Sequence, residues 1–209
     1  MKLPDFDFEK SLLPKGIRFV LGLDEAGRGP WAGPVAVTAF LLDINNFDPN
    51  FFSKNKVRDS KTLTQIQRQK TYQNFVDNHY SFKTYFTISR GIDKYGISKA
   101  VSLSAAKTIE FFAGQFDFIL SDANIKIDPS LPHKNITKGD QHCFSIAAAS
   151  ICAKVLRDAH MLYLDQVYPG YSFAKHKGYG TSLHLQALQK LGVCPIHRLS
   201  YKPIKKIIK

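Results

Sequence analysis

The chain has 209 residues, of which 44% are hydrophobic, and its 29 Lys and Arg residues outnumber its 17 Asp and Glu residues to give a formal net charge of +12. The apolar content excludes a wholly disordered chain, and no apolar run reaches the roughly 20 residues that a membrane span needs. The acidic N-terminus does not resemble a secretory signal, and the three cysteines form no CxxC pair, which argues against a disulfide framework or a structural zinc site. We therefore expect a cytoplasmic protein without a membrane partner, and the basic charge favours nucleic acid as a partner.

The N-terminal part of the sequence predicts an arm followed by a hairpin. Residues 1–16 are mixed in character and are predicted to form the arm. Apolar runs at 17–23 and 35–42 flank a segment rich in Gly and Pro, which is typical of two buried strands joined by a turn.

The remaining sequence predicts alternating helices and strands. Periodicity predicts helices over 62–78, 98–113, 143–168 and 181–191, and strands over 80–89 and 116–120. This order favours an α/β fold with a mixed central sheet flanked by helices and a helical C-terminal region. We assign residues 17–200 to this domain and expect 201–209 to be a basic tail that is solvated and frayed.

Four acids are placed where a site is expected. Asp24 and Glu25 close one predicted strand, Asp122 closes another, and Asp140 precedes the long helix. If the two strands are neighbours, these acids converge at one edge of the sheet, where ligand sites of α/β proteins lie. Oxygen ligands alone select Mg²⁺ or Mn²⁺, and two such ions can hydrolyse a phosphodiester.

Each acid also has a simpler interpretation. Asp140 is well placed to be the N-cap of the helix that follows it. Asp24 and Glu25 are neighbours that point to opposite faces of an ideal strand, so both reach one site only if the strand ends or twists there. Asp122 is also a common kind of turn residue.

Several motifs together resemble the type 2 ribonuclease H family, bacterial ribonuclease HII. The opening motif is Gly-Leu-Asp-Glu-Ala-Gly-Arg-Gly-Pro at 22–30, and Asp-Ser-Lys-Thr-Leu follows at 59–63. Lys-Gly-Asp at 138–140 precedes the run of small residues from 145 onward, and His-Lys-Gly-Tyr-Gly-Thr occupies 176–181. The resemblance extends over residues 17 to 200 in the family's order.

The resemblance implies a ribonuclease H-like fold and an endonuclease that cuts the RNA strand of RNA–DNA hybrids, including single ribonucleotides within duplex DNA. Its metal-binding acids correspond to Asp24, Glu25, Asp122 and Asp140, which would hold two Mg²⁺ or Mn²⁺ ions. The products implied are 5′-phosphate and 3′-hydroxyl ends. We also expect a monomer, with the basic tail as a candidate docking segment for a replication partner.

The resemblance also implies substrate-binding residues. The family's glycine-arginine-glycine turn corresponds to Gly27, Arg28 and Gly29, and its sugar-sensing tyrosine to Tyr179. A contact to the 2′-OH is what separates RNA from DNA at a given position. Lys61 corresponds to a lysine that contacts phosphate.

Other motif residues receive no chemical role. Asp158 follows Asp140 by several helical turns, too far to share a metal, so we interpret it as structural. His184 and His197 suggest packing or capping more than zinc binding. The family usually has glycine after its third acid, whereas Ala123 stands here, which would strain the backbone if the position needs a positive φ.

Three alternatives remain open at this point. The related ribonuclease HIII generally lacks the glycine-arginine-glycine turn and carries an additional N-terminal domain, so type HII is favoured. A non-catalytic nucleic-acid-binding protein would use the acids as caps and turn residues. A nuclease of the same fold that acts only on DNA is the third alternative.

Overall fold

The computed structural model describes residue 4 and residues 6–208 of the chain. In this part of the chain a single mixed sheet of five strands runs in the order β3-β2-β1-β4-β5. The strands are β1 (Phe19–Ala26), β2 (Val35–Asp43), β3 (Phe82–Thr87), β4 (Phe118–Asp122) and β5 (His133–Ile136). β1 and β2 form the predicted antiparallel hairpin, β2 also pairs with β3 in antiparallel fashion, and β1, β4 and β5 are parallel to one another.

Helices cover both faces of this sheet. They are α1 (Asp7–Lys10), α2 (Pro49–Lys54), α3 (Gln65–Asp77), α4 (Ser89–Tyr95), α5 (Ile97–Phe111), α6 (Phe144–Val167), α7 (Phe173–His176), α8 (Ser182–Leu191) and α9 (Lys202–Ile207). The predicted α/β architecture is therefore confirmed. No helix among the described residues is both long and apolar enough to cross a membrane.

Alternation along the strands divides the core between two faces. Val20 and Leu120 belong to the cluster that contains the small residues of α6, whereas Leu21 and Ile119 belong to the cluster under α5. A Cβ on Gly22 would lie 2.3 Å from the backbone of α6, so this glycine allows the helix to pack directly on β1.

The two ends of the chain are packed against the domain. Phe6, in the predicted arm, stacks on Phe47 with ring centroids 3.7 Å apart. Ile204 in α9 is fully buried in a third apolar cluster, with Met161, Phe173 and others. The prediction of a frayed tail is therefore wrong, because Ile204 and Ile207 pack in this cluster while Lys202, Lys205 and Lys206 are exposed. The division into arm, domain and tail stays a prediction.

The structure adds elements that the sequence pattern did not predict. The edge strand β5 and helices α2 and α4 lie in segments without a clear periodicity, and α7 interrupts the predicted loop at 170–180. Both site-bearing strands also extend further than predicted, to Ala26 and Asp122. Asp24, Glu25 and Asp122 therefore lie within the last residues of these two strands.

Candidate metal and nucleic-acid site

Asp24 and Asp122 lie at the carboxyl ends of neighbouring parallel strands, at the same level of the sheet. By alternation both are on the same face as Val20 and Leu120, which is the face that α6 covers. Asp24 accepts a hydrogen bond from Ser150 of α6. The topology therefore brings two distant acids together under one helix.

Glu25 joins these two acids although it follows Asp24 directly. Carboxylate oxygens of Asp24, Glu25 and Asp122 all lie within 4.8 Å of one another. The Glu25 amide donates to Oδ1 of Asp24 at 2.8 Å, and β1 ends one residue later, so strict alternation no longer separates the two side chains.

Asp140 lies beside this group, outside the set of oxygens that meet within 4.8 Å among the described residues. It occupies a short 3-10 helix, Gly139–Gln141, and its carboxyl group shares a hydrogen bond with Asp59. Its charge still acts on Asp24.

The interpretation of Asp140 as the N-cap of α6 is wrong. The N-cap is Cys143, and no side chain caps at that position. Instead, the buried carboxylate of Glu9 accepts from the Ser145 amide at 3.0 Å and from its hydroxyl at 2.9 Å. A residue of the N-terminal segment therefore serves the first turn of α6, and Asp140 is free to face the site.

Burial makes the ionised acids costly. It raises the pKa of Asp24 well above its ordinary value, and the charges of Glu25 and Asp140 raise this pKa further. Burial also raises the pKa of Glu25 to about 6, against the opposing effect of Arg28. Burial and the nearby Asp59 raise the pKa of Asp140 to about 6. A cation bound beside these acids would therefore lower the free-energy cost of ionising them.

The donor set fits divalent cations. Every acid offers oxygen, which suits Mg²⁺ and Mn²⁺ more than softer metals. Oε2 of Glu25 is buried and has no hydrogen-bond partner among the described residues. A buried carboxylate oxygen without a partner is costly, and a bound cation would satisfy it. Asp24, Glu25 and Asp122 are therefore the residues best placed to hold a metal ion, with Asp140 beside them.

Divalent cations should stabilise the folded protein. At a concentration of about 100 times the dissociation constant, a ligand that binds only the folded state adds about 2.7 kcal/mol. For a chain of this size we expect Mn²⁺ or Mg²⁺ to raise the melting temperature by roughly 5–10 °C over that in EDTA. Differential scanning fluorimetry measures the melting temperature. The control is KCl of equal ionic strength, which contains no divalent cation. A melting temperature that is indifferent to both metals would contradict the metal site.

Two predicted basic residues surround the acids. Nε of Arg28 lies 3.7 Å from Oε1 of Glu25, and Nη1 of Arg28 is buried without a hydrogen-bond partner in the described chain. Burial alone would lower the pKa of Lys61, but Asp140, Asp59 and the strand acids together raise it. Lys61 therefore carries its charge next to the acids.

One buried arginine, Arg198, hydrogen-bonds the glycine-arginine-glycine turn, and a second, Arg157, packs beneath Gly27. Arg198 donates to the carbonyl of Gly27 at 2.7 Å and to that of Arg28 at 2.9 Å. Arg157 donates to the carbonyls of Pro34 at 2.9 Å and of residue 177 at 3.0 Å. Burial lowers the pKa of Arg157 to about 10. The two hydrogen bonds from Arg198 therefore restrain the backbone of the turn.

Tyr179 lies against this turn. A Cβ on Gly29 would be in van der Waals contact with Cε1 of Tyr179, at 3.8 Å. The tyrosine is 43% exposed, and the guanidinium of Arg157 lies 5.9 Å from its ring centre. The structure thus brings Gly27, Arg28, Gly29 and Tyr179 to one surface, beside the acids.

Other residues singled out in the sequence have structural surroundings. Asp158 forms an ion pair with Lys154 at 2.8 Å, away from the acidic group. His184 and His197 contact each other, and the only metal-type cluster found in the described residues is the acidic one. Ala123 is not among the residues with positive φ in the described chain, so it accommodates the family's glycine position without strain.

Three features of the site were not predicted. Asp59 begins the motif at 59–63, but its hydrogen bond with Asp140 joins residues far apart in sequence and could not be predicted. Ser150 links Asp24 to Ser60 through hydroxyl groups 2.9 Å apart. Arg157 and Arg198 bind backbone carbonyls near the turn, and the only sequence signal for them is that both lie within residues 17–200, over which the resemblance extends.

Comparison with known proteins agrees with this geometry. The family model described as Ribonuclease HII matches residues 21–204. Ribonuclease HII of Ligilactobacillus salivarius (strain UCC118) is 40% identical over 200 residues, which cover 96% of this chain and 76% of that protein. Ribonuclease HII of Dehalococcoides mccartyi (strain ATCC BAA-2100 / JCM 16839 / KCTC 5957 / BAV1) is 42% identical over 202 residues, or 96% of this chain and 93% of that protein.

Solved structures show the same fold. Ribonuclease H2 from Pyrococcus horikoshii OT3 has a TM-score of 0.72 and 25% identity, covering 90% of this chain and 96% of that one. RNase HII from Archaeoglobus fulgidus, solved in a complex with PCNA, has a TM-score of 0.74 and 20% identity, covering 91% and 97%.

The match extends over nearly all the elements that build the site, from β1 to α9. The acidic group is consistent with the dependence of ribonucleases H on divalent metals. The chain therefore belongs to the ribonuclease HII family and is an endoribonuclease of the ribonuclease H type that acts on RNA–DNA hybrids.

Proposed function

We propose that this enzyme hydrolyses the RNA strand at hybrids and at single ribonucleotides within duplex DNA, with two divalent ions. One observation carries the proposal. The turn at 27–29 contacts the acidic group on one side, through Arg28 and Glu25 at 3.7 Å. On the other side it lies beside Tyr179, since a Cβ on Gly29 would be 3.8 Å from Cε1 of the tyrosine. A site for cutting phosphodiesters is therefore continuous with a site suited to a sugar.

The acids supply the cation site. Asp24, Glu25, Asp122 and Asp140 would hold two ions, Mg²⁺ or Mn²⁺, and Ser150 orients Asp24 through its hydroxyl. When bound, such ions supply an activated water and stabilise the leaving 3′ oxygen. The products would carry 5′-phosphate and 3′-hydroxyl ends.

The turn and the tyrosine supply the selectivity for ribose. The amides of Gly27, Arg28 and Gly29 would hydrogen-bond a 2′-OH, because Gly29 has no side chain that would keep a sugar away. The ring of Tyr179 would pack against that sugar. Lys61 would attract the phosphate on the other side of the acids.

The Tyr179→Ala variant should lose most activity on a duplex with a single ribonucleotide. Without the ring, recognition of one 2′-OH weakens, whereas a continuous hybrid offers many positions at which to cut. We expect a loss of about tenfold to a hundredfold on the single ribonucleotide and a smaller loss on the hybrid. Measured kcat/KM on the two substrates gives the ratio.

Tyr95→Ala is the matched control, because Tyr95 is 48% exposed and Tyr179 is 43% exposed. Tyr95 lies at the end of α4 and should leave both rates unchanged. Equal losses on the two substrates in Tyr179→Ala would count against sensing of the 2′-OH.

The experiment that tests the function is cleavage of a labelled duplex with one ribonucleotide, with and without EDTA. Mg²⁺-dependent cutting at the ribonucleotide supports the proposal. Cutting of an all-DNA duplex would indicate a DNA nuclease, and binding without cutting would indicate a nucleic-acid-binding protein. Cutting of hybrids alone would restrict the substrate to continuous RNA.

We also make proposals about the oligomeric state, the location in the cell and the role of the C-terminal segment. We infer a monomer that acts in the cytoplasm. A replication partner that docks through residues 201–209 would have to contact side chains other than Ile204, because Ile204 is already buried in the domain. Lys202, Lys205 and Lys206 of this segment are exposed and would be available to phosphate or to a partner.

A further inference from the structure

A chain of buried histidines ends at the backbone of Tyr179. Nδ1 of His184 lies 3.0 Å from the Tyr179 carbonyl oxygen, and Nε2 of His184 lies 3.1 Å from Nε2 of His197. The Cys194 amide donates to Nδ1 of His197 at 2.9 Å. We call these three linked groups, from Cys194 through His197 to His184, the histidine chain. His184 is fully buried and His197 is 1% exposed.

The contacts fix the direction of every proton in the histidine chain. A carbonyl only accepts, so Nδ1 of His184 must carry the proton and Nε2 of a neutral His184 must accept. His197 must then donate from Nε2, which leaves its Nδ1 free to accept the Cys194 amide. Nδ1 of His197 also lies 3.1 Å from the Cys194 carbonyl oxygen and 3.2 Å from Sγ of Cys194. That carbonyl already accepts from the His197 amide at 3.0 Å, and a proton on Nδ1 would leave the Cys194 amide without its acceptor. The arrangement satisfies both rings only when both are neutral.

The surroundings support neutral rings. Burial lowers the pKa of His184 to about 4 and also lowers that of His197. The ring of His176 stacks on His184 with centroids 4.4 Å apart, and its Nδ1 accepts from the Gly178 amide at 3.1 Å. The residue before Tyr179 is therefore held by a histidine as well.

Tyr179 ends a segment, residues 177–179, whose backbone is hydrogen-bonded to buried groups. Lys177 and Gly178 both have positive φ, and Tyr179 is 43% exposed. Its carbonyl accepts from the Thr181 amide at 2.9 Å and from His184. The Gly178 carbonyl accepts from the Trp31 amide at 2.8 Å, and the Tyr179 amide donates to the His176 carbonyl at 2.9 Å. The donor on His184 is the side-chain contact made to the Tyr179 carbonyl itself.

We propose that His184, supported by His197, is a positioning residue that sets the selectivity for ribose by holding the backbone of Tyr179 against the turn at Gly29. This inference rests on the proposed recognition of single ribonucleotides by Tyr179. Neither histidine contacts the acids or the substrate. Their effect should appear in the choice between substrates and leave the chemistry of the acids unchanged.

Two variants of His184 separate the contact with Tyr179 from the contact with His197. The amide nitrogen of Asn occupies the position of Nδ1, so His184→Asn keeps the donor to Tyr179 and loses the acceptor for His197. The longer Gln places its amide at the position of Nε2, so His184→Gln keeps the acceptor and loses the donor. Each variant loses one buried hydrogen bond, so their stabilities should be similar.

The measurement is the ratio of kcat/KM on the single-ribonucleotide duplex to kcat/KM on a continuous hybrid. We expect His184→Gln to lower this ratio about fivefold and His184→Asn to leave it within about twofold of the wild type. His133→Gln is the control, since Nδ1 of His133 likewise contacts a carbonyl, that of Leu131 at 2.8 Å, on the edge strand β5. Equal ratios for the two His184 variants would overturn the proposal.

A second measurement needs no variant. Long-range ¹⁵N–¹H spectra of the wild-type protein should show His184 protonated at Nδ1 and His197 at Nε2 at neutral pH. The opposite tautomers, or charged rings, would overturn the histidine chain even if the variants fail to fold. If the wild type cuts hybrids but not single ribonucleotides, the proposed recognition fails, while the spectra still decide whether the chain of hydrogen bonds exists.

Discussion

Asp24→Asn should abolish Mg²⁺-dependent cleavage, with a loss of about a thousandfold or more in kcat. Asn keeps the shape of the side chain but removes the charge at the centre of the acidic group, so the cation site loses one of its buried acids. Binding of the hybrid should persist, because the basic surface and the turn are unchanged. Cleavage is measured on a labelled hybrid, and binding by fluorescence anisotropy in the same buffer.

The stability of this variant distinguishes lost chemistry from lost folding. The pKa of Asp24 is raised by burial and by the charges of Glu25 and Asp140, so ionisation of Asp24 costs free energy in the metal-free protein. We expect Asp24→Asn to melt at or above the wild-type temperature in EDTA and to lose the rise in melting temperature on addition of Mn²⁺.

Asp77→Asn is the matched control. Asp77 is exposed at the end of α3, where it accepts from Gln73 at 2.8 Å, and its change should leave cleavage unaffected. Undiminished turnover in Asp24→Asn would refute the assignment of the acidic group.

Gly27→Ala should both destabilise the fold and weaken recognition of the substrate. Gly27 has a φ of +94°, and a Cβ there would lie 2.0 Å from Nε of Arg157. Arg157 is fully buried and is held by the Pro34 carbonyl, so it has no room to withdraw. Strain at positive φ and overpacking together should cost about 2–4 kcal/mol of unfolding free energy. Urea denaturation monitored by circular dichroism measures this cost.

Gly16→Ala separates the two contributions. Gly16 also has a positive φ, +75°, but a Cβ there would meet no atom within 4 Å. It should cost only about 1 kcal/mol, from backbone strain alone, and leave activity unchanged. If the two variants were equally stable, the close packing of Arg157 beneath the turn would be disproved.

The strands and the convergence of the acids could be predicted because hydrophobic runs mark buried strands. The runs end at residues 23 and 120, where charged side chains begin, yet backbone pairing continues to Ala26 and Asp122. A pattern of apolar residues records burial and not hydrogen bonding, so the predicted strands were too short. That error placed the acids after the strands, although it did not change which edge of the sheet they share.

The contacts that could not be predicted join residues far apart in sequence. The carboxylates of Glu9 and Asp140 could each accept hydrogen bonds from the first turn of α6. Only the fold shows that Glu9 makes these hydrogen bonds. Strand β5, His133–Ile136, is polar and pairs on one side only among the described strands, so its sequence lacks the alternation of a half-buried strand. The docking of α9 likewise depends on a surface that other helices form.

The contact between Arg198 and the turn has a consequence for the synthesis of the enzyme. Arg198 binds the carbonyls of Gly27, Arg28 and Gly33, so residues near the start of the chain are braced by one near its end. A ribosome makes the strand acids and the turn long before it makes this arginine. We expect a nascent chain to acquire the ability to cut only once residue 198 has left the ribosomal tunnel, which would keep unfinished copies from damaging nucleic acid around them.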